Sequence, residues 1–259
     1  MDPIAYGPHR DQVADLYLPA ADGRAPLVVV LHGGFWRAQF DREPAQPEAR
    51  ALAALGYAVA NLEYRRVGAG GGWPTTFDDV ARALDLLPEL IEDARPGRVD
   101  RNRIVYIGHS AGGHLALWAA ARHRLPSESA WRTETAPQVA GVVALAPAAN
   151  LVDAYQRGNG NGAVAELLGG GPREFPERYA ATDPSALDTT DIPIVVVHGD
   201  RDQRLPIEMA REYSAKSGAE LVELPGIGHF ELIDPDSTAW PFVVQALRRL
   251  TKSVDQQHR

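Results

Sequence analysis

The sequence predicts an α/β protein with a mostly parallel central sheet and helices on both faces. Short apolar, β-branched blocks recur along the chain: LVVVL (27–31), YAVANL (57–62), RIVYIG (103–108), GVVALA (141–146) and PIVVVH (193–198). Unbroken apolar runs of this length are what strands buried on both faces require. Helix-like segments PEARALAAL (47–55), FDDVARALDLLPELI (77–91) and AGGHLALWAAARH (111–123) lie between them, and PIEMAREYSAKSG (206–218) follows the last block. Alternating strand and helix needs crossover connections, which make neighbouring strands parallel. The 259 residues, 45% of them hydrophobic, fit one domain with a sizeable core, 1–259.

The remaining elements follow in order. VADLYLP (13–19) alternates apolar and polar residues and predicts an antiparallel edge strand. Thr75, Thr76 and Asp78 offer oxygens to the free N–H groups at the start of the second helix, and Pro88 is expected to bend its last turn. ELVEL (220–224) reads as a final short strand, residues 237–251 as a closing helix, and the polar tail from about Lys252 is expected to fray. Residues 148–191, with GNGNG, LLGGGP and several prolines, are too long for an ordinary connection and predict a cap-like insertion before the acid-bearing strand. GAGGGWPT (68–75) has neither phosphate-loop spacing and reads as a plain flexible loop.

Composition excludes several functions. With no cysteine there is no disulfide framework, thiolate nucleophile or cysteine-ligated metal. A net charge of −8, with basic residues only in scattered pairs such as Arg65–Arg66 and Arg248–Arg249, disfavours nucleic acid as a partner. No apolar run approaches the roughly 18 residues a membrane helix needs. The start, MDPIAYGPHR, lacks the pattern of a secretory signal, so a cytoplasmic location is expected. The oligomeric state is left open, a homodimer included.

The chemistry concentrates at strand ends. Gly108-His109-Ser110-Ala111-Gly112 is a G-x-S-x-G sequence between a strand and a helix, where flanking glycines permit a turn too tight for side chains and the serine hydroxyl is lifted clear of the sheet. The bland alternative is a serine that only caps the helix. A serine nucleophile needs a base and an orienting acid. GDRD after the last apolar strand supplies Asp200 and Asp202, and PGIGHFELIDP after ELVEL supplies His229. Chain order favours Ser110, Asp202 and His229, with Asp200 as a turn residue. Among the other histidines, His9, His123 and His258 read as surface residues, His114 as a residue of the elbow helix, His198 as structural and His32 as a brace for its loop. His109 is expected to point towards the site. HGGFW (32–36) after the first buried strand predicts an oxyanion hole built from Gly33, Gly34 and the N–H of Ala111.

The combination HGGFW, GHSAGGHLAL, HGDRD and GHFELIDP resembles the α/β-hydrolases, and within them the kynurenine formamidase (arylformamidase) branch and its neighbouring small HGGxW esterases. The likeness runs over nearly the whole chain. It implies an α/β-hydrolase fold, a Ser110–Asp202–His229 triad, an oxyanion hole on Gly33 and Gly34 with Trp36 supporting the loop, and a serine hydrolase acting on a small ester or amide without metal or organic cofactor. Phe35, Trp36 and Trp73, with Tyr155 and Phe175 of the insertion, are candidates for stacking on an aryl leaving group. An arylformamidase and a carboxylesterase of small or natural-product esters are the two leading readings. A non-catalytic binding protein is third, disfavoured by the complete triad.

Overall fold

The computed structural model describes residues 2–252. Its strands are β1 (Asp2–Ala5), β2 (Val13–Tyr17), β3 (Ala25–Leu31), β4 (Ala58–Leu62), β5 (Val99–His109), β6 (Gly141–Leu145), β7 (Ile194–Gly199) and β8 (Glu220–Leu224). They form one sheet in the spatial order β1, β2, β4, β3, β5, β6, β7, β8. β2 runs antiparallel to both neighbours, and every pairing from β4 to β8 is parallel. This is the predicted α/β-hydrolase architecture, with two local corrections. β2 is not the edge, because β1 pairs outside it; four residues that include Pro3 carry too little periodicity to announce a strand. β5 begins at Val99 rather than Arg103, since Val99 and Asp100 pair with Ala25 and Pro26 before the register shifts at Leu27.

The helices are α1 (Gln46–Ala54), α2 (Thr75–Ala94), α3 (Ala111–Ala120), α4 (Leu151–Gln156), α5 (Ala163–Leu168), α6 (Pro176–Thr182), α7 (Ile207–Ser217) and α8 (Trp240–Lys252). The strand period of two divides the core. Leu27, Val29 and Leu31 of β3 face one apolar layer with α2 and α3, while Val28 and Val30 face the other with α1 and α8. Each such buried side chain contributes roughly 1.5–3 kcal/mol relative to exposure. α3 is buried at every position, so it has no polar face at all. The tail beyond Lys252, His258 included, lies outside the described residues.

α2 starts at Thr75, but not through the expected side-chain caps. Thr76 Oγ1 instead donates to Arg65 O (2.7 Å) and accepts from Gly72 N (2.9 Å), and Asp78 accepts from the Trp131 indole (2.7 Å). The helix continues past Pro88 to Ala94. The glycine-rich connection before it is also tied down: Ala69 N and Gly71 N both donate to Arg66 O (2.9 Å each) and Trp73 N to Leu167 O (2.7 Å), while Val67 N just before it donates to Trp36 O (2.8 Å).

Residues 148–191 fold into α4, α5 and α6, braced by buried Asp183, whose carboxylate accepts from the N–H groups of Leu151, Val152 and Ser185. Three straps lead from this segment to loops at the carboxyl ends of the strands. Arg37 makes a bidentate pair with Glu166 (2.7 and 2.9 Å), Asn159 Nδ2 donates to Arg204 O (2.9 Å), and Gly160 packs on the Phe35 ring.

Buried Asp79 joins α2 to two distant segments: it accepts from Gln12 Nε2 (2.7 Å), from the Arg65 backbone N–H (2.9 Å) and from the Arg65 guanidinium (2.6 and 2.8 Å). Asp79→Ala strands those donors and is expected to lower the free energy of unfolding by about 3 kcal/mol in urea titrations. A loss smaller than about 0.5 kcal/mol, the range of a neutral surface change, would show that the network contributes little.

Candidate active site

Ser110 stands between the end of β5 and the start of α3 with φ 55° and ψ −115°, a left-handed conformation that a non-glycine residue holds only under constraint. The constraint is visible. Ser110 N donates to Leu145 O (2.8 Å), and Ser110 O accepts from His114 N (3.1 Å) and Ala148 N (3.2 Å). A Cβ on Gly108 would run into the backbone of Gly112, and one on Gly112 would strike the carbonyl oxygens of Leu31 and His32. The hydroxyl makes no capping bond to α3, which removes the bland reading of this serine.

The acid and the imidazole come from the loops after β7 and β8. His229 Nδ1 donates to Asp202 Oδ2 at 2.6 Å. The Asp202 side chain is wholly buried, and its Oδ1 accepts from the N–H groups of Arg204 (2.7 Å) and Leu205 (2.9 Å). His198 Nε2 lies 3.3 Å from Oδ2 and donates to Leu205 O (3.1 Å). Burial pushes the Asp202 carboxyl up, but the bonds from His198 and His229 outweigh it and hold the group well below the usual carboxylate range. An ionised Asp202 fixes the proton on Nδ1 of His229 and leaves Nε2 as acceptor. Asp200 has a different partner, accepting from Gly226 N (2.7 Å) at the turn after β8. His109 Nε2 donates to the His229 carbonyl at 3.0 Å, and its ring lies 4.5 Å from the His229 ring. Burial, then the neighbouring His229, push the His109 imidazole down to about 3, so it stays neutral and acts as a fixed donor.

The loop after β3 is held from below by Glu63, a buried residue just past β4 that the sequence reading did not single out. Its Oε1 accepts from His32 Nε2 (3.0 Å) and Tyr64 N (2.9 Å), and its Oε2 from Arg42 N (3.1 Å), with the Arg66 guanidinium 3.4 Å from Oε1. His32 also stacks on Tyr64, with centroids 4.5 Å apart. Gly34 has φ 114°, and the next two residues, Phe35 and Trp36, are left-handed as well at 54° and 57°. The N–H groups of Gly33 and Gly34 donate to no backbone carbonyl among the described residues, and Ala111 is the first residue of α3, where helix geometry leaves N–H groups free.

Ser110, His229, His109, Gly33 and Gly34 all line one cavity of about 330 Å³. Of the four residues expected to bind substrate, Phe35 and His109 line it. Trp36 and Trp73 do not, and the expectation for both is corrected. The turn at Trp36 sends its ring inward, 2% exposed and edge-on to His114 at 5.3 Å. Trp73 packs against Phe77 and Trp131 and faces a separate hollow beside Pro126. Tyr155 and Phe175 are also away from the cavity: Tyr155 packs edge-on to Tyr179, and Phe175 lies under the Arg178 guanidinium. The walls also include Phe40, Pro44, Glu48, Arg204, Phe230 and Ile233, none of which the sequence marks as a site residue.

Comparison with known proteins bears on the family and the fold. The BD-FAE family model matches residues 14–216. The chain is 30% identical to esterase LipQ of Mycobacterium tuberculosis over 87% of its length and 56% of that protein's. It is 28% identical to the isoprenylcysteine alpha-carbonyl methylesterase ICME of Arabidopsis thaliana over 90% of its length and 57% of that protein's. The chain thus spans less than two thirds of the length of these relatives. Among solved structures, a truncated carbohydrate esterase from gut microbiota superposes with a TM-score of 0.81 at 20% identity, covering 97% of this chain and 95% of that one. Esterase B from Lactobacillus rhamnosis, inhibited by a tributyrin phosphonate, gives 0.80 at 19% identity over 99% and 87%. These two likenesses show a shared fold, and the extent of the family match shows descent: the chain belongs to the BD-FAE family of α/β-hydrolase esterases.

Proposed function

We propose that the protein is a serine hydrolase of small esters, with Ser110 as nucleophile, His229 as general base and Asp202 as its orienting acid. The observation that carries this reading is the 2.6 Å bond from His229 Nδ1 to a fully anchored Asp202, with the imidazole and Ser110 lining one cavity. His229 Nε2 takes the proton as Ser110 Oγ attacks the ester carbonyl, and returns it to the departing alkoxide; water then releases the acyl group by the same route. The N–H groups of Gly33, Gly34 and Ala111 hold the oxyanion, each such donor being worth roughly 3–4 kcal/mol in the barrier. About 330 Å³ lies at the small end of ligand pockets, which favours short acyl and alcohol groups. Residues 148–191 act as a cap-like insertion strapped to the rim through Arg37 and Arg204.

An arylformamidase-like activity would use the same apparatus with a one-carbon acyl group. The esterase names of the relatives and the absence of Trp36 and Trp73 from the cavity wall favour the ester.

Ser110→Ala and His229→Ala are each expected to lower kcat for p-nitrophenyl acetate by at least about a thousandfold while thermal melts stay near wild type; an active His229→Ala enzyme would remove it as the base. Glu63→Gln, which weakens the support of the oxyanion loop, is expected to reduce kcat/KM by about tenfold to a hundredfold, read from the same assay. Unchanged kcat/KM would mean that the loop keeps its shape without that carboxylate. N-formylkynurenine is expected to be hydrolysed more slowly than p-nitrophenyl acetate, and the reverse order would move the assignment to a formamidase.

A further inference from the structure

One wall of the cavity carries a carboxyl that nothing in the proposed mechanism uses. Glu48, in the first turn of α1, is 2% exposed and lines the cavity together with Phe40, Pro44, Phe230 and Ile233. Its side chain takes part in no hydrogen bond or ion pair among the described residues, and its Oε1 is fully buried without a partner. Every other carboxylate that braces this region is saturated: Asp202 and Glu63 each have several donors. A buried polar group left unsatisfied costs stability, and a leucine at this place on α1 would fill the space without that cost. The carboxyl is thus left without a partner among the described residues, and Glu48 lines the space where a substrate would sit.

Burial alone pushes the Glu48 carboxyl up to about 8, so at neutral pH it is mainly the neutral acid, with one O–H to donate and oxygen lone pairs to accept. Asp41 and Arg204 line the same cavity with opposite charges, so together they favour neither sign of ligand charge. A hydroxyl both accepts from and donates to a neutral carboxyl while bringing no charge into apolar surroundings.

We propose that Glu48 is a specificity residue that selects esters carrying a hydroxyl on the limb of the substrate lodged between Phe40, Pro44 and Ile233. This rests on the ester hydrolase reading and names the substrate class within it. The test uses isosteric pairs in which a hydroxyl replaces a methyl group: methyl 3-hydroxybutyrate against methyl 3-methylbutyrate for the acyl side, and 2-hydroxyethyl butyrate against propyl butyrate for the alcohol side. In one pair the wild-type enzyme is expected to prefer the hydroxylated ester by about tenfold in kcat/KM, the size of one good neutral hydrogen bond. Glu48→Leu is expected to abolish or invert that ratio, and Glu48→Gln, which still donates and accepts, to keep most of it. The same pairs bound to the Ser110→Ala protein and followed by thermal shift read the preference without turnover. Failure to hydrolyse any ester would thus count against the hydrolase reading alone. Equal use of both members of both pairs, a ratio untouched by Glu48→Leu, or a greater preference for methyl 3-aminobutyrate that Glu48→Gln destroys, would each overturn the proposal.

Discussion

The close approach of the start of α3 to the end of β3 sets the geometry of everything around Ser110. Gly112 lies so near the carbonyl oxygens of Leu31 and His32 that no side chain fits there, and Gly108 lies equally near Gly112. Two elements far apart in the chain are thereby indexed to each other through bare backbone, which cannot adjust by changing a rotamer. The loop that offers Gly33 and Gly34 begins at His32, and the helix that offers Ala111 begins one residue before Gly112. Donors on both segments inherit that fixed spacing, which is what preorganised stabilisation of developing charge requires.

Carboxylates at the carboxyl ends of the strands divide into two kinds. Glu63 and Asp202 are surrounded by N–H donors, and for both the bonds outweigh the burial that would otherwise favour the neutral acid. Each of them sets the position of a histidine, His32 in one case and His229 in the other. Glu48 is the opposite kind, buried too but shifted the other way because no donor compensates. The same residue type is thus a rigid strut where the chain supplies donors and an unsatisfied group where it does not.

What the sequence reveals follows this division. Parallel strands buried on both faces announce themselves by uninterrupted apolar runs, and the G-x-S-x-G turn by glycines that have no alternative. Backbone requirements of that kind are local, so one sequence displays them. Glu48, Glu63 and Asp79 were not legible, because an acid in a helix or past a strand is ordinarily solvated and its burial is decided by segments remote in the chain. Side-chain direction was equally hidden. Phe35 and Trp36 are adjacent, yet one faces the cavity and the other the core, since two successive left-handed residues turn the chain between them. β1 escaped notice for the reverse reason: four residues alternating between partly buried and exposed positions carry too weak a period, and their strand exists because β2 offers an open edge.

Strain is concentrated where this chemistry would take place. Four of the non-glycine residues with positive φ, namely Phe35, Trp36, Ser110 and Ala146, follow the carboxyl ends of β3, β5 and β6. Each such conformation costs on the order of 1–3 kcal/mol and persists only where surrounding contacts over-determine it. Such contacts are present at three of the four: Val67 N on Trp36 O, Leu145 O and Ala148 N on Ser110, and Val197 O on Ala146 N. Leu145 and Val197 are strand residues, while Ala148 opens the 148–191 insertion and Val67 lies just before the glycine-rich connection. The parallel sheet therefore does more than carry the loops. Its buried, fully paired backbone is the stiff reference against which the turns at its rim are held in conformations they would not adopt alone.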